Sequence, residues 1–229
     1  MKSISFRRKA FLLAGTLSAM CVLGGVFYAR ALTRMQVVDC AQTFWFLVSE
    51  EENVAAAAQS VSLHGGAGYV MRRKGEEYAV LACYFSQSAA RAVRDNLEAK
   101  NLAVSVREES GGTLYLKKNS EKRSAEGLRG CFDTLSSCIR LLYDLSAAAD
   151  TGGYTQQELR RLLADVGGVL SRLAEENRDG VFTDISACAS AASAEIMRLR
   201  QDVVYARDIR YIQVWLSDSY LRLADEFSL

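Results

Sequence analysis

The chain has 229 residues, half of them hydrophobic, with 28 basic side chains against 27 acidic ones and a formal charge of +1. That length supports one or two small domains with their own cores, while a near-neutral chain has no broad basic field, so nucleic acid is excluded as an expected partner. No proline occurs, which argues against long extended linkers and for uninterrupted helices.

Lys2, Arg7, Arg8 and Lys9 precede an uncharged run from Ala10 to Ala29, and Arg30 and Arg34 follow it. Roughly 20 apolar residues is the length that spans a bilayer as a helix, and the leading basic cluster favours a cytoplasmic N-terminus. Residues 1–35 are therefore expected to form a basic tail and a single-pass anchor in a bacterial cell membrane, with the bulk of the chain extracytoplasmic. A cleaved signal peptide is the rival, since Ala29-Arg30-Ala31 has the small-x-small form of a cleavage site, but the run exceeds the ~7–15 apolar residues usual there. Cys21 follows Met20 in mid-run, against a lipidation signal. Only residues 31–42 separate the run from the first strong strand pattern, too little for a spacer.

Residues 36–118 read as a second unit. Thr43–Val48 is a strand pattern, Asn53–Leu63 a helix, Gly68–Arg72 and Tyr78–Phe85 strands, Ala89–Ala99 a helix and Leu102–Val106 a strand, with Gly65-Gly66 and Lys74-Gly75 as breaks. This order predicts an α+β fold, a small split βαβ unit of ferredoxin-like form with a four-stranded antiparallel sheet. Alternation sends Phe44, Phe46 and Val48 to one face and Trp45 and Leu47 to the other; further on, Tyr78, Val80 and Ala82 oppose Ala79, Leu81 and Cys83. The two helices offer Val54, Ala57, Ala58 and Val61, and Ala90, Val93 and Leu97, to one sheet face.

The run Phe44–Val48 with its Ala-rich helix, echoed by Gly75-Glu76-Glu77-Tyr78-Ala79-Val80-Leu81-Ala82-Cys83-Tyr84-Phe85-Ser86 and Ala89-Ala90-Arg91-Ala92, resembles the sporulation-related repeat (SPOR) domain. The resemblance implies peptidoglycan binding in the cell envelope, in division or sporulation. Where that family shows polar or glycine positions, this chain has Trp45, Leu47, Leu81 and Cys83. These residues, with Tyr69 and Met71, make the candidate glycan or partner face. Such an apolar patch has three possible occupants: the chain's own C-terminal helices, a protein partner, or glycan stacked on Trp45 and Tyr69.

Residues 119–229 change to helical spacing and are expected to form an antiparallel three-helix bundle of coiled-coil character. A first helix, about Glu121–Ala149, carries Leu128, Phe132, Leu135, Ile139, Leu142 and Leu145; Thr155-Gln156-Gln157-Glu158 has the form of a capping box opening a second, Gln156–Glu176. A third begins near Asp184, and continuing through Trp215 it would run about forty residues, ~60 Å. Its tail, with Tyr211, Trp215 and Tyr220, would outrun the second helix and either pack back on the sheet or join another chain, giving a homo-oligomer.

Catalytic chemistry is poorly represented. His64 is the single histidine and has no nucleophile elbow or orienting group beside it. Glu50-Glu51-Glu52 offers carboxylates for glycoside cleavage, yet three acids opening a helix also suit its dipole. No Cys/His ligand spacing occurs, so no metal or cofactor is expected. Cys131 and Cys138 are ~10 Å apart along a helix, too far to bridge each other; the alternatives are that one of them faces Cys188 or that all are buried free thiols. The expectation is a non-catalytic, membrane-anchored envelope protein binding peptidoglycan or an envelope protein. The alternatives are a wall hydrolase or its direct regulator, acting through His64 and Glu51, or a purely structural helical oligomer.

Overall fold

The computed structural model describes residues 35–117, 125–179 and 182–227. Among them no helix is long and apolar enough to cross a membrane. That finding corrects the expected single-pass anchor, and with it the transmembrane part of the fold class and the bacterial-membrane location; the run Ala10–Ala29 itself lies outside the described residues. What is described is α+β, with two antiparallel sheets followed by helices.

Strand β1 (Met35–Asp39) pairs with β6 (Thr113–Lys117) as a two-stranded ribbon, and β2 (Thr43–Ser49), β3 (Tyr69–Arg73), β4 (Glu76–Tyr84) and β5 (Val104–Ser110) form a four-stranded sheet in the order β3-β4-β2-β5. Helix α1 (Val54–Leu63) joins β2 to β3 and α2 (Gln87–Glu98) joins β4 to β5. Asn53 and Ser86 start these helices, each side chain accepting a backbone N–H from three residues on. Lys74 and Gly75, at φ 52° and 84°, form the two-residue loop between β3 and β4, the left-handed pair whose twist suits a hairpin.

A β-bulge corrects the sequence reading of the faces. Leu47 pairs with Ala82 but Val48 pairs with Val80, so Leu81 is the extra residue in β4. Plain alternation had put Leu81 with Cys83 and Val80 with Ala82. With the bulge, Cys83, Val80 and Tyr78 share the face of Phe44, Phe46 and Val48, while Ala82 and Tyr84 share that of Trp45 and Leu47. A bulge also bends its strand, and here the β3–β4 hairpin folds over the phenylalanine face towards β5. Arg107 lies 3.9 Å from the Tyr78 ring centroid, and buried Arg73 is 3.7 Å from Glu109.

The described residues of the C-terminal part form four helices where three were expected: α3 (Ala125–Asp150), α4 (Gln156–Glu176), α5 (Thr183–Leu199) and α6 (Ala206–Phe227). Thr155 and Glu158 do make the reciprocal capping box at α4. The expected forty-residue helix is broken at 200–205 because α4 holds the intervening backbone in another form. The Gln156 side-chain amide donates to the Val204 carbonyl at 2.9 Å and accepts the Val204 N–H at 2.9 Å, while Arg160 donates to the Asp202 carbonyl at 2.8 Å. The break turns α6 back over the phenylalanine face of the sheet. Tyr220 meets Phe44 edge-on at 5.5 Å and Phe132 of α3 at 4.9 Å, so sheet and bundle share one core.

The opposite face is packed thinly. Its own buried cluster is Ala57, Ala58 and Ala79, with Val54 against it. Alanines let α1 approach the sheet closely, and a side chain at Gly68 would come within 2.7 Å of the Ala58 carbonyl oxygen. Small residues that bring a helix close to a sheet leave little volume to fill the space beside it.

Candidate functional site

Between α1 and α2, over the centre of the sheet, lies a cleft of about 410 Å³. Its floor is Leu47, Leu81 and Ala82; its walls are Val61 of α1 and Val93 and Leu97 of α2; Leu102 and Val104 close one end. Val61, Val93 and Leu97 are the inward residues of their helices, yet they are only half-buried because they face the cleft rather than one another. Leu102, exposed at 48%, adds apolar surface at its edge. A mostly apolar concavity of this size with a few polar groups at its margins has the character of a small-molecule site.

The polar groups stand at opposite ends. Ser49 ends β2 and Glu51 lies just beyond it, while His64, Gly65, Tyr84, Asp150 and Arg210 gather at the other end. His64 donates Nδ1–H to the Ser60 carbonyl at 2.8 Å, which in the neutral ring leaves Nε2 as an acceptor. Arg210 of α6 donates to the Gly65 carbonyl and pairs with Asp150 at the end of α3. Burial pushes the Tyr84 phenol up to about 12, with Arg210 opposing that shift; its ring meets Tyr143 edge-on at 6.0 Å. The whole of α1 separates Glu51 from His64, ten residues or ~15 Å of helix. They cannot act together on one bond. Among the described residues no group of three histidine, cysteine or acidic side chains is placed to hold a metal ion.

The six residues proposed for one face divide between two. Trp45, Leu47 and Leu81 lie with α1 and α2; Leu47 and Leu81 line the cleft, while Trp45 lies beside it, its buried Nε1 without a hydrogen-bond partner among the described residues. Tyr69, Met71 and Cys83 lie under α6. Met71 and Cys83 are fully buried, and Tyr69 donates its hydroxyl to Asp218 at 2.8 Å. Burial raises the Cys83 thiol to about 12 against hydrogen bonds from Ser217 and Gln213. Of the tail residues, Tyr220 is buried, Trp215 packs partly buried against the core, and Tyr211 stays 41% exposed while stacking edge-on against Tyr69 at 5.7 Å.

Cys131, Cys138 and Cys188 are free, as are the other described cysteines. Burial raises all three thiols, Cys138 and Cys188 to about 11. A second recess at the α5–α6 turn is bordered by Arg198–Glu195 and Arg207–Asp208 pairs. Those four charges already have partners, and the recess lacks the continuous apolar floor of the first.

Sequence reasoning missed Arg210 and Asp150, which reach the cleft from helices far along the chain and carry no local signal for it. Comparison with family models, curated proteins and solved structures yields no match. The resemblance to the sporulation-related repeat therefore rests on the element order and the residue runs quoted for it, and the expected themes of peptidoglycan, cell envelope, division and sporulation are withdrawn for want of any support.

Proposed function

We propose that this protein is a non-catalytic binding module that takes up a small, largely apolar molecule in the cleft between α1 and α2. The observation that carries the reading is the cleft itself: about 410 Å³ over Leu47, Leu81 and Ala82, in the size range of small-molecule sites. The separation of Glu51 from His64 favours binding over catalysis, because acid–base work needs its groups within hydrogen-bond reach of one reacting centre.

The test is titration of the full-length chain with N-phenyl-1-naphthylamine, a neutral probe that fluoresces in apolar surroundings. Saturable enhancement at one site is expected, lost in Val93→Trp, which fills the cleft from the α2 side, and lost likewise in Leu97→Trp. Absence of saturable binding, or equal binding by both folded variants, would overturn the reading. Circular dichroism melts of each variant establish that they are folded.

A further inference from the structure

The floor and walls of the cleft say what the body of a ligand is made of; its margins say what charge the ligand carries. Three ionic side chains line it: Glu51, Asp150 and Arg210. Asp150 and Arg210 pair with each other, and Arg210 also donates to the Gly65 carbonyl. The end nearer α6 is thus already neutralised, and its guanidinium is committed. At the far end, the Glu51 carboxylate has no ion-pair or hydrogen-bond partner among the described residues. Its backbone is held, with its N–H donating to Ser49 Oγ at 3.3 Å, and Ser49 itself lines the cleft.

The flanking Glu50 and Glu52 add negative potential at the same end. Taken alone, the three acids would be accounted for by the N-terminus of α1; what distinguishes Glu51 is that an apolar cavity opens beside it. Lys100, behind the end of α2, is exposed and does not line the cleft.

Building on the proposed binding function, we infer that the ligand is a cationic amphiphile, an apolar body lying over Leu47 and Leu81 with an amine-type head met by Glu51. Among the described residues lining the cleft, an anionic head has no free Lys or Arg to meet, because taking Arg210 would strip Asp150 and the Gly65 carbonyl of their donor. A cation at the Glu51 end gains a partner and displaces none. The gain is that of an exposed ion pair, so it selects among ligands while the apolar body supplies most of the affinity.

Competition against N-phenyl-1-naphthylamine by octylamine, octan-1-ol and octanoate, three heads on one tail, tests this on the full-length chain. Octylamine is expected to compete roughly two- to fivefold better than octan-1-ol at low salt, the advantage of an exposed pair, and octanoate worse than octan-1-ol. Glu51→Gln should remove the amine's advantage while leaving octan-1-ol unchanged, and Glu51→Lys should reverse the order. Competition by octan-1-ol with no preference among heads, or a preference indifferent to Glu51→Gln, would overturn this inference and leave the binding function standing. Failure of all three would remove the binding function, and the head-group inference with it.

Discussion

Tyr69 and Asp218 lie 149 residues apart in sequence, and the Tyr69 hydroxyl donates to Asp218 Oδ2 at 2.8 Å. Asp218 is completely buried, and its second partner is Arg222, one helical turn along α6, with Nε donating to the same oxygen at 3.0 Å. The other oxygen, Oδ1, has no partner among the described residues. Tyr69→Phe would remove one of the donors to a buried carboxylate already incompletely satisfied. It is expected to cost about 1–3 kcal/mol, measured as a lower urea midpoint at unchanged m-value.

Arg210 joins three parts of the chain: its own helix α6, the end of α3 through Asp150, and the turn after α1 through the Gly65 carbonyl. Arg210→Ala leaves that carbonyl without its donor. Because the Asp150 side chain is half exposed, the expected loss is modest, about 1–2 kcal/mol. Hydrogen exchange should show it as faster opening of the 64–68 turn, with β2 and β4 little changed.

Alkaline pH should destabilise the fold in a defined window. Burial raises the Cys83 thiol from 9.0 to about 12 and the Tyr84 phenol from 10.0 to about 12. In the unfolded chain both groups release their protons at lower pH than in the folded one, so the folded state binds more protons and stability falls as pH rises. The contribution is complete below about pH 9 and lost progressively towards pH 12. Urea midpoints at pH 8, 9, 10 and 11 should fall across this series, and Tyr84→Phe should flatten the part above pH 10.

Gln156 alone satisfies both backbone groups of Val204 at the α5–α6 break. Gln156→Ala would leave a buried N–H and carbonyl without those bonds, at a cost of about 1–3 kcal/mol. The loss should appear as faster exchange at the Val204 amide and as a lower melting temperature.

Much of the fold was legible wherever the signal is local. Thr43–Val48 was read for the observed Thr43–Ser49, and Gln156–Glu176 for the same span, the latter because its capping box is written in four adjacent residues. The illegible parts depend on distant neighbours. Strand β1, read as a short connector, is a strand because its partner is β6, with Met35 opposite Lys117. The break after Leu199 exists because α4 captures residues 202–204, and nothing between Arg200 and Tyr205 resembles a strong helix stop such as proline or glycine.

The candidate site divides in the same way. Leu47 and Leu81 were singled out, as were the inward residues Val61, Val93 and Leu97, but the two groups were assigned to opposite faces of the sheet, whereas they line one cleft. The cleft results from alanines at 57 and 58 drawing α1 onto Ala79, a volume effect that a hydrophobic pattern does not record. Arg210 and Asp150 were invisible for this purpose, since only the folding back of α6 brings them to Gly65.

The extra residue at Leu81 also acts as a frame shift for side chains. On its N-terminal side β4 gives its odd-numbered positions to the alanine layer, and on its C-terminal side it gives its even-numbered ones, so a single strand supplies two differently spaced layers. Deleting Leu81 would leave Val80 next to Ala82, regularly paired opposite Val48 and Leu47, so Tyr78 and Val80 would still face α6 and only the local bend would be lost. Keeping the residue but losing the bulge, with Leu81 placed opposite Val48, is what would turn Tyr78 and Val80 to the alanine layer, so the bulge itself holds those two side chains under α6.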